Sequence, residues 1–190
     1  MVKIRLDVVI DTTCPFWLPQ ILQPNAPKTP IKLTVFSEQT FGPGILEAKF
    51  KREEAIGRAE GIKFNQARKI GNTFDSHRLI YLAGEKSLAT QSAVVRKLFE
   101  GHFEGGEAPS SHEFLIDVAV KSGIERSVAE AWMNSNLGGP EVEEKIREAR
   151  EKGIRGVPHI TVQGTHPIGS LYDEESLLAV FERARVELKA

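Results

Sequence analysis

The chain has 190 residues, of which 41% are hydrophobic and 27% charged, as in a folded globular protein. Its formal net charge of −1 excludes the basic footprint of a protein that binds nucleic acid or an anionic membrane. No apolar run in the sequence approaches the ~20 residues that span a bilayer.

The single cysteine, Cys14, cannot form an intramolecular disulfide, and this indicates a reducing compartment. A lone cysteine with scattered histidines also predicts no zinc site. The apolar stretch at residues 6–10 is too short for a secretory signal, and Asp7 interrupts it. We therefore expect a cytoplasmic protein without a metal ion.

The N-terminal region begins with a strand. Residues 3–10 alternate at first and then run apolar, as in a half-buried strand that becomes fully buried. Five prolines between residues 15 and 30 leave room for at most a turn or two of helix. Residues 31–36 allow two readings, because their alternation favours a strand whereas Thr29 and Pro30 are typical of a helix start.

A helical segment follows, with apolar residues at helical spacing from residue 45 to about residue 136 and no strand indicated. Asn72 or Thr73 is expected to cap one helix, and the pair Ser110-Ser111 begins a capping pattern for another. We predict that residues 45–136 form a helical domain, inserted into a core made of residues 1–44 and 137–190.

The C-terminal region returns to strands. Residues 157–162 predict a strand, residues 163–165 (Gln-Gly-Thr) a hairpin turn, and residues 166–168 a short edge strand. Asp173 is expected to cap a final amphipathic helix.

Four segments in this order resemble the DsbA-like branch of the thioredoxin superfamily, and more narrowly its FrnE-like subgroup. They are residues 11–15 (Asp-Thr-Thr-Cys-Pro), 71–79, 111–115 and 153–158 (Gly-Ile-Arg-Gly-Val-Pro). The resemblance implies an α/β fold in which a thioredoxin-like core carries an inserted helical domain. It also implies a thiol-dependent oxidoreductase. FrnE-like proteins resemble protein disulfide isomerases, and some are associated with polyketide biosynthesis.

Two features depart from that family. Trp17 stands where a dithiol oxidoreductase has its second cysteine. In FrnE-like proteins the active-site motif begins a helix, which leads into a second strand and then into a stretch like residues 23–27. Here residues 14 and 25 are too close in sequence to hold that helix and strand, because a strand–helix–strand unit needs roughly 30 residues. We therefore expect the first helix and second strand of the fold to be missing or remodelled. Related kappa-class glutathione transferases and 2-hydroxychromene-2-carboxylate isomerases have a serine at the position of Cys14.

The resemblance also implies the site. Cys14 would be the catalytic nucleophile, and the peptide bond before Pro158 would be cis and close to it. A substrate or a thiol peptide such as glutathione would contact Phe16, Trp17, Asn72, His77, Arg78, Val157, Pro158 and His159. The alternatives are an inert, buried Cys14, since a thiolate needs a helix N-terminus or a cation, and capping or surface roles for His77 and Arg78.

No cofactor is required by this scheme, although glutathione is a possible one, and the partner would be a small-molecule or thiol substrate. The competing function is a non-catalytic or repurposed small-molecule-binding or interaction protein. Loss of a helix and a strand would expose apolar sheet surface. We expect a homodimer that covers this surface through residues 31–36 or the first strand; in the alternative, residues 31–36 replace the lost strand in a monomer.

Overall fold

The computed structural model describes residues 4–14, 27–168 and 174–188. The strands of this part of the chain are β1 (Leu6–Val9), β2 (Ile31–Lys32), β3 (Lys69–Ile70), β4 (His159–Val162) and β5 (His166–Ile168). The α-helices are α1 (Leu33–Phe41), α2 (Ile45–Glu60), α3 (Phe74–Lys86), α4 (Leu88–Phe99), α5 (His112–Lys121), α6 (Arg126–Met133), α7 (Gly139–Glu151) and α8 (Glu174–Glu187). A π-helical turn, Glu100–Glu104, extends α4.

The main sheet is antiparallel and has the strand order β1-β4-β5. The first strand therefore pairs with residues near the other end of the chain, with Leu6 opposite Val162 and Val9 opposite His159. The turn between β4 and β5 has positive φ at both central positions, 54° at Gln163 and 74° at Gly164. This is the type I′ geometry that suits the twist of a hairpin, and the predicted hairpin is confirmed.

One face of the sheet is only partly covered. Ile160 and Val162 of β4 pack with α8 in a small apolar cluster. Val8 and Leu6 are the directly opposed residues of β1 and share that face, yet they are 51% and 49% exposed. Within the described residues no strand pairs with the outer edge of β1. The core is thus remodelled as the sequence predicts.

Residues 31–36 divide between the two predicted structures. Ile31 and Lys32 form β2, which pairs with β3, and Leu33 begins α1. The amide of Leu33 donates to the carbonyl oxygen of Arg68 at 3.0 Å, which continues the contact between the segments. The alternative in which residues 31–36 replace the lost strand of the main sheet is therefore wrong, because β2 pairs with β3. The prediction that residues 45–136 contain no strand is also wrong, since β3 lies within them.

The larger apolar core lies among the helices. Leu79 on α3, Leu98 on α4 and Leu115 on α5 are at most 1% exposed and belong to one buried cluster. Two of the predicted caps are present, since Asn72 Oδ1 accepts from the amide of Phe74 at 2.8 Å and the Ser111 hydroxyl accepts from that of Phe114. The third, Asp173, lies outside the described residues. None of the helices in the described ranges is both long and apolar enough to cross a membrane.

Candidate functional site

Cys14 ends a tight turn that follows β1. The amide of Cys14 donates to the carbonyl oxygen of Asp11 at 3.2 Å. The amide and hydroxyl of Thr13 both donate to Asp11 Oδ1, at 2.9 and 2.8 Å. An aspartate that accepts from the backbone two residues later is a common way to fix a turn. The position of the thiol is therefore set by the carboxylate three residues before it.

The thiol of Cys14 lies against a loop that is 143 positions later in the chain. Its Sγ is 3.5 Å from the carbonyl oxygen of Val157, to which the thiol can donate. The peptide bond between Val157 and Pro158 is cis. Cys14 is half-buried, whereas Val157 is buried. Both the cis bond and its closeness to Cys14 are confirmed.

The turn is anchored to the start of α3 by buried side chains. Thr73 donates its hydroxyl to Asp11 Oδ2 at 3.1 Å. The Ser76 hydroxyl donates to the carbonyl oxygen of Thr73 at 2.7 Å and lies 2.8 Å from that of Thr12. Because a serine hydroxyl has one hydrogen, Thr12 must be the donor to Ser76. Thr12 and Ser76 are fully buried, so this chain of bonds locks the turn onto the helix.

Asp11 is a buried carboxylate at the N-terminal end of α3. Burial alone would raise its pKa, but His77, whose Nε2 lies 3.9 Å from Asp11 Oδ2, and the two Thr13 donors outweigh burial. The net result is a pKa below the ordinary value of 3.8. The positive end of the helix dipole favours the same charged form.

We expect Asp11 to make stability depend on pH at the acid end. Because its folded-state pKa is lowered, its contribution is complete above the unfolded-state value near 3.8 and is lost as the pH falls through the folded-state pKa. Urea unfolding of the wild type and Asp11→Asn between pH 7 and pH 2 would measure this (roughly the carboxyl range). The gap between the two proteins should shrink on acidification; a constant gap would contradict the assignment.

Cavities lie on two sides of Cys14. The larger, of about 960 Å³, is a mostly apolar groove between β1 and α4, and we call it the thiol groove. Its lining includes Leu6, Val8, Cys14, Phe64, Val95 and Phe99. Its volume lies within the range of small-molecule sites, roughly 300–1,000 Å³. The smaller cavity, about 90 Å³, reaches Cys14 from the side of α1 and α2. An apolar ligand in the thiol groove would lie beside the thiol.

The other predicted site residues divide into those near the thiol and those engaged elsewhere. Val157 and Pro158 lie near the thiol, and His77 faces Asp11. Asn72 caps α3 with its side chain. The His159 ring lies 3.2 Å from the Thr161 hydroxyl, in the strand that follows the Pro158 loop. Phe16 and Trp17 lie outside the described residues.

Arg78 is a buried structural residue. Its guanidinium donates to the carbonyl oxygens of Trp132, Ser135 and Leu137 at 2.6–2.8 Å and to Asp75 Oδ1 at 2.7 Å. The side chain is 4% exposed, so a substrate cannot reach it. The suggested binding role is therefore wrong, because Arg78 connects α3 to the last turn of α6 and to the segment that follows it.

The sequence singled out Cys14 but gave no role to Asp11, Thr12 or Ser76, and it proposed Thr73 only as a possible helix cap. A signal for them was present in the run Asp-Thr-Thr before the cysteine, since short polar side chains at the end of an apolar strand are typical of turns. Their partners on α3 could not be read from spacing, because more than 60 positions separate the two groups.

Cys14 follows β1 and packs against the cis-proline loop that leads into β4, the strand beside β1. Helices are inserted between β1 and β4 in the sequence. This arrangement defines a thioredoxin-like protein. A family model described as the DSBA-like thioredoxin domain matches residues 33–182. The chain belongs to that family, as its resemblance to DsbA-like proteins predicts. The matched segment includes the Pro158 loop and the inserted helices but begins after Cys14.

Solved structures agree on the fold. A provisionally named DsbA oxidoreductase from Streptomyces coelicolor is similar with a TM-score of 0.72 and 24% identity, over 84% of this chain and 70% of its own. A provisionally named protein disulfide isomerase from Nitrosomonas europaea has a TM-score of 0.66 and 17% identity, over 84% and 78%. A 2-hydroxychromene-2-carboxylate isomerase has a TM-score of 0.57 and 22% identity, over 82% and 79%. No curated protein sequence matches the chain significantly.

Proposed function

We propose that the protein is a monothiol exchange protein of the DsbA-like family, in which Cys14 forms a mixed disulfide with a glutathione-like thiol. The supporting observation is the 3.5 Å distance between Cys14 Sγ and the carbonyl oxygen of Val157. A thiol peptide that adds to the backbone at Val157 as an extended strand brings its own sulfur to the sulfur of Cys14. His159 and Asn72 would border that peptide.

The exchange step needs one sulfur nucleophile and one disulfide. The Cys14 thiol loses its proton to solvent, and the thiolate attacks one sulfur of oxidised glutathione. A bond forms between Cys14 Sγ and that sulfur, the glutathione disulfide breaks, and glutathione thiolate leaves. A second thiolate from solution then attacks the glutathione sulfur of the mixed disulfide. A new disulfide forms between that thiol and glutathione, the bond to Cys14 Sγ breaks, and the Cys14 thiolate is released. Asp11 and its partners on α3 hold the turn during these steps.

The ligand class that we propose is an apolar small molecule or its glutathione conjugate, of the polyketide type associated with FrnE-like proteins. The apolar lining of the thiol groove supports this choice. A cytoplasmic, reducing compartment suits the scheme because it keeps a lone thiol available for exchange.

Mass spectrometry after incubation with oxidised glutathione tests the proposal. We expect the native wild type to gain one glutathionyl group and Cys14→Ser to gain none. Because the chain has a single cysteine, no second site can obscure the result. If the wild type is modified only after unfolding in urea, Cys14 is an inert, inaccessible thiol and the proposal fails.

Assays of dithiol oxidoreductase activity are expected to show no catalysis. With one cysteine the chain cannot cycle an internal disulfide, so insulin reduction and the refolding of scrambled ribonuclease should proceed at the uncatalysed rate. Robust turnover that disappears in Cys14→Ser would refute the monothiol scheme.

The second candidate is a non-catalytic binding protein, and the volume of the thiol groove favours it. In that case an apolar fluorescent probe should bind equally well to the wild type and to Cys14→Ser, and glutathionylation should be absent. Displacement of the probe by covalent glutathionylation of Cys14 would favour the exchange function instead.

A further inference from the structure

The outer edge of β1 has hydrogen-bonding groups that point away from the sheet. The carbonyl oxygen of Arg5 accepts from the amide of Gln163, so the peptide groups of Arg5 face β4. Peptide groups alternate in direction along an antiparallel strand. Those of Leu6 and Val8 therefore point to the outer edge, where no described strand pairs with them. An edge of this kind is a template for another strand.

The side chains along this edge separate by chemistry. Residues 4–8 are all exposed. Ile4, Leu6 and Val8, which are 37%, 49% and 51% exposed, alternate with charged residues and form an apolar stripe on one face. Arg5 and Asp7 lie on the other face, with Arg5 Nε 3.1 Å from Asp7 Oδ2. A partner strand that carries its own apolar stripe would pair with this edge and bury the apolar side chains at the same time.

We propose that this partner is the β1 strand of a second copy of the chain, paired antiparallel across a two-fold axis at Leu6. In this register Leu6 faces Leu6 of the second copy, and Val8 faces Ile4. All of these are residues whose peptide groups point outward, so both strands satisfy each other's amides and carbonyls. The two three-stranded sheets become one continuous sheet of six strands.

Charge selects this register over its neighbours. With the axis at Leu6, Arg5 of each copy lies opposite Asp7 of the other. Sliding the strands to the next hydrogen-bonding register sets either Asp7 opposite Asp7 or Arg5 opposite Arg5. Opposite charges in directly facing positions stabilise a strand pair, and like charges destabilise it. The sequence Ile-Arg-Leu-Asp-Val is therefore complementary to itself in one register only.

The same arrangement affects the thiol groove. Leu6 and Val8 line that groove, and their far side is open to solvent. In the dimer, Ile4 and Leu6 of the second copy lie next to Val8 and Leu6 and extend the apolar wall. The second copy thus contributes residues to the groove of the first. This inference does not depend on the chemistry of Cys14.

Charge reversal tests the pairing through the dimer dissociation constant, measured by analytical ultracentrifugation. Arg5→Asp and Asp7→Arg each create two like-charge pairs across the axis, and each should weaken the dimer on the order of tenfold or more. The double variant Arg5→Asp/Asp7→Arg restores both pairs and should recover affinity to within roughly threefold of wild type. The control is Lys121→Asp on α5, which reverses an exposed charge that pairs with Asp117, as Arg5 pairs with Asp7. It should leave the dimer dissociation constant unchanged.

Cross-linking tests the register. In a Cys14→Ser background, Leu6→Cys should form a disulfide-linked dimer with diamide, because facing Cα atoms of a hydrogen-bonded pair lie ~5.5 Å apart. Arg5→Cys and Asp7→Cys should not form this disulfide. In each case the new cysteine and the same residue of the second copy are two positions apart along the strand, which is ~7 Å. Efficient linkage of Asp7→Cys instead of Leu6→Cys would overturn the register.

Three further results would overturn the proposal. A wild-type monomer at every micromolar concentration, with the Leu6 amide protected from hydrogen exchange, would mean that the same chain covers the edge. A monomer whose Leu6 amide becomes protected only with an added apolar peptide would assign the edge to a different partner. A dimer that withstands both charge reversals would have to use another surface.

Discussion

Replacement of Arg78 by alanine is expected to lower the free energy of unfolding by about 3–5 kcal/mol. The guanidinium supplies donors to three backbone carbonyls, those of Trp132, Ser135 and Leu137, and to the Asp75 carboxylate. Removing one member of a buried charged network leaves the other members without their partners, and this costs more than the network itself contributes. Urea unfolding followed by circular dichroism would measure the loss.

Two further variants calibrate that loss. Arg78→Lys keeps the positive charge but lacks the planar fork of donors, so its stability should fall between those of the wild type and Arg78→Ala. Arg58→Ala removes an exposed arginine that pairs with Glu54 at 2.8 Å, and it should stay within about 0.5 kcal/mol of wild type. If Arg78→Ala behaves like Arg58→Ala, the network does not stabilise the fold.

Replacement of Leu98 by alanine is expected to cost about 2–5 kcal/mol, because it leaves a cavity in the larger helical core. Leu98 is 1% exposed and packs in the cluster that includes Leu79 and Leu115. Its matched control is Leu88→Ala on the same helix, since Leu88 is 79% exposed. That variant should unfold at nearly the wild-type urea concentration.

The comparison between these two leucines decides whether the helices form a real core. Equal losses for Leu98→Ala and Leu88→Ala would mean that α4 does not pack as described. An unchanged slope of free energy against urea concentration would show that both variants unfold from an equally compact state.

The helical part of the fold could be predicted well from sequence, because its signals are local. The apolar spacing of α3 and α4 and the caps at Asn72 and Ser111 all lie within a few residues of the structure that they determine. The hairpin between β4 and β5 was predictable for the same reason, since Gly164 supplies a positive φ at the tip.

The failures of prediction are all non-local. Ile31 pairs with Ile70 in a ladder of two residues, which leaves no periodic pattern to read. The buried bonds of Asp11 and Thr12 to α3 join residues more than 60 positions apart. The contact between Cys14 and Val157 was predictable only through resemblance to DsbA-like proteins, since no property of either segment alone indicates the other.

The pairing of the first strand with the last part of the chain sets an order of events during synthesis. The hydrogen bond between Arg5 and Gln163 cannot form until Gln163, 158 positions later, has been synthesised. At ~5–20 residues per second on the ribosome, this delay is roughly 10–30 s. The helices from α3 to α7 are completed within it and can pack while β1 is still unpaired. During that time the apolar stripe of Ile4, Leu6 and Val8 is a nascent segment that a chaperone can hold or that a neighbouring nascent chain can capture.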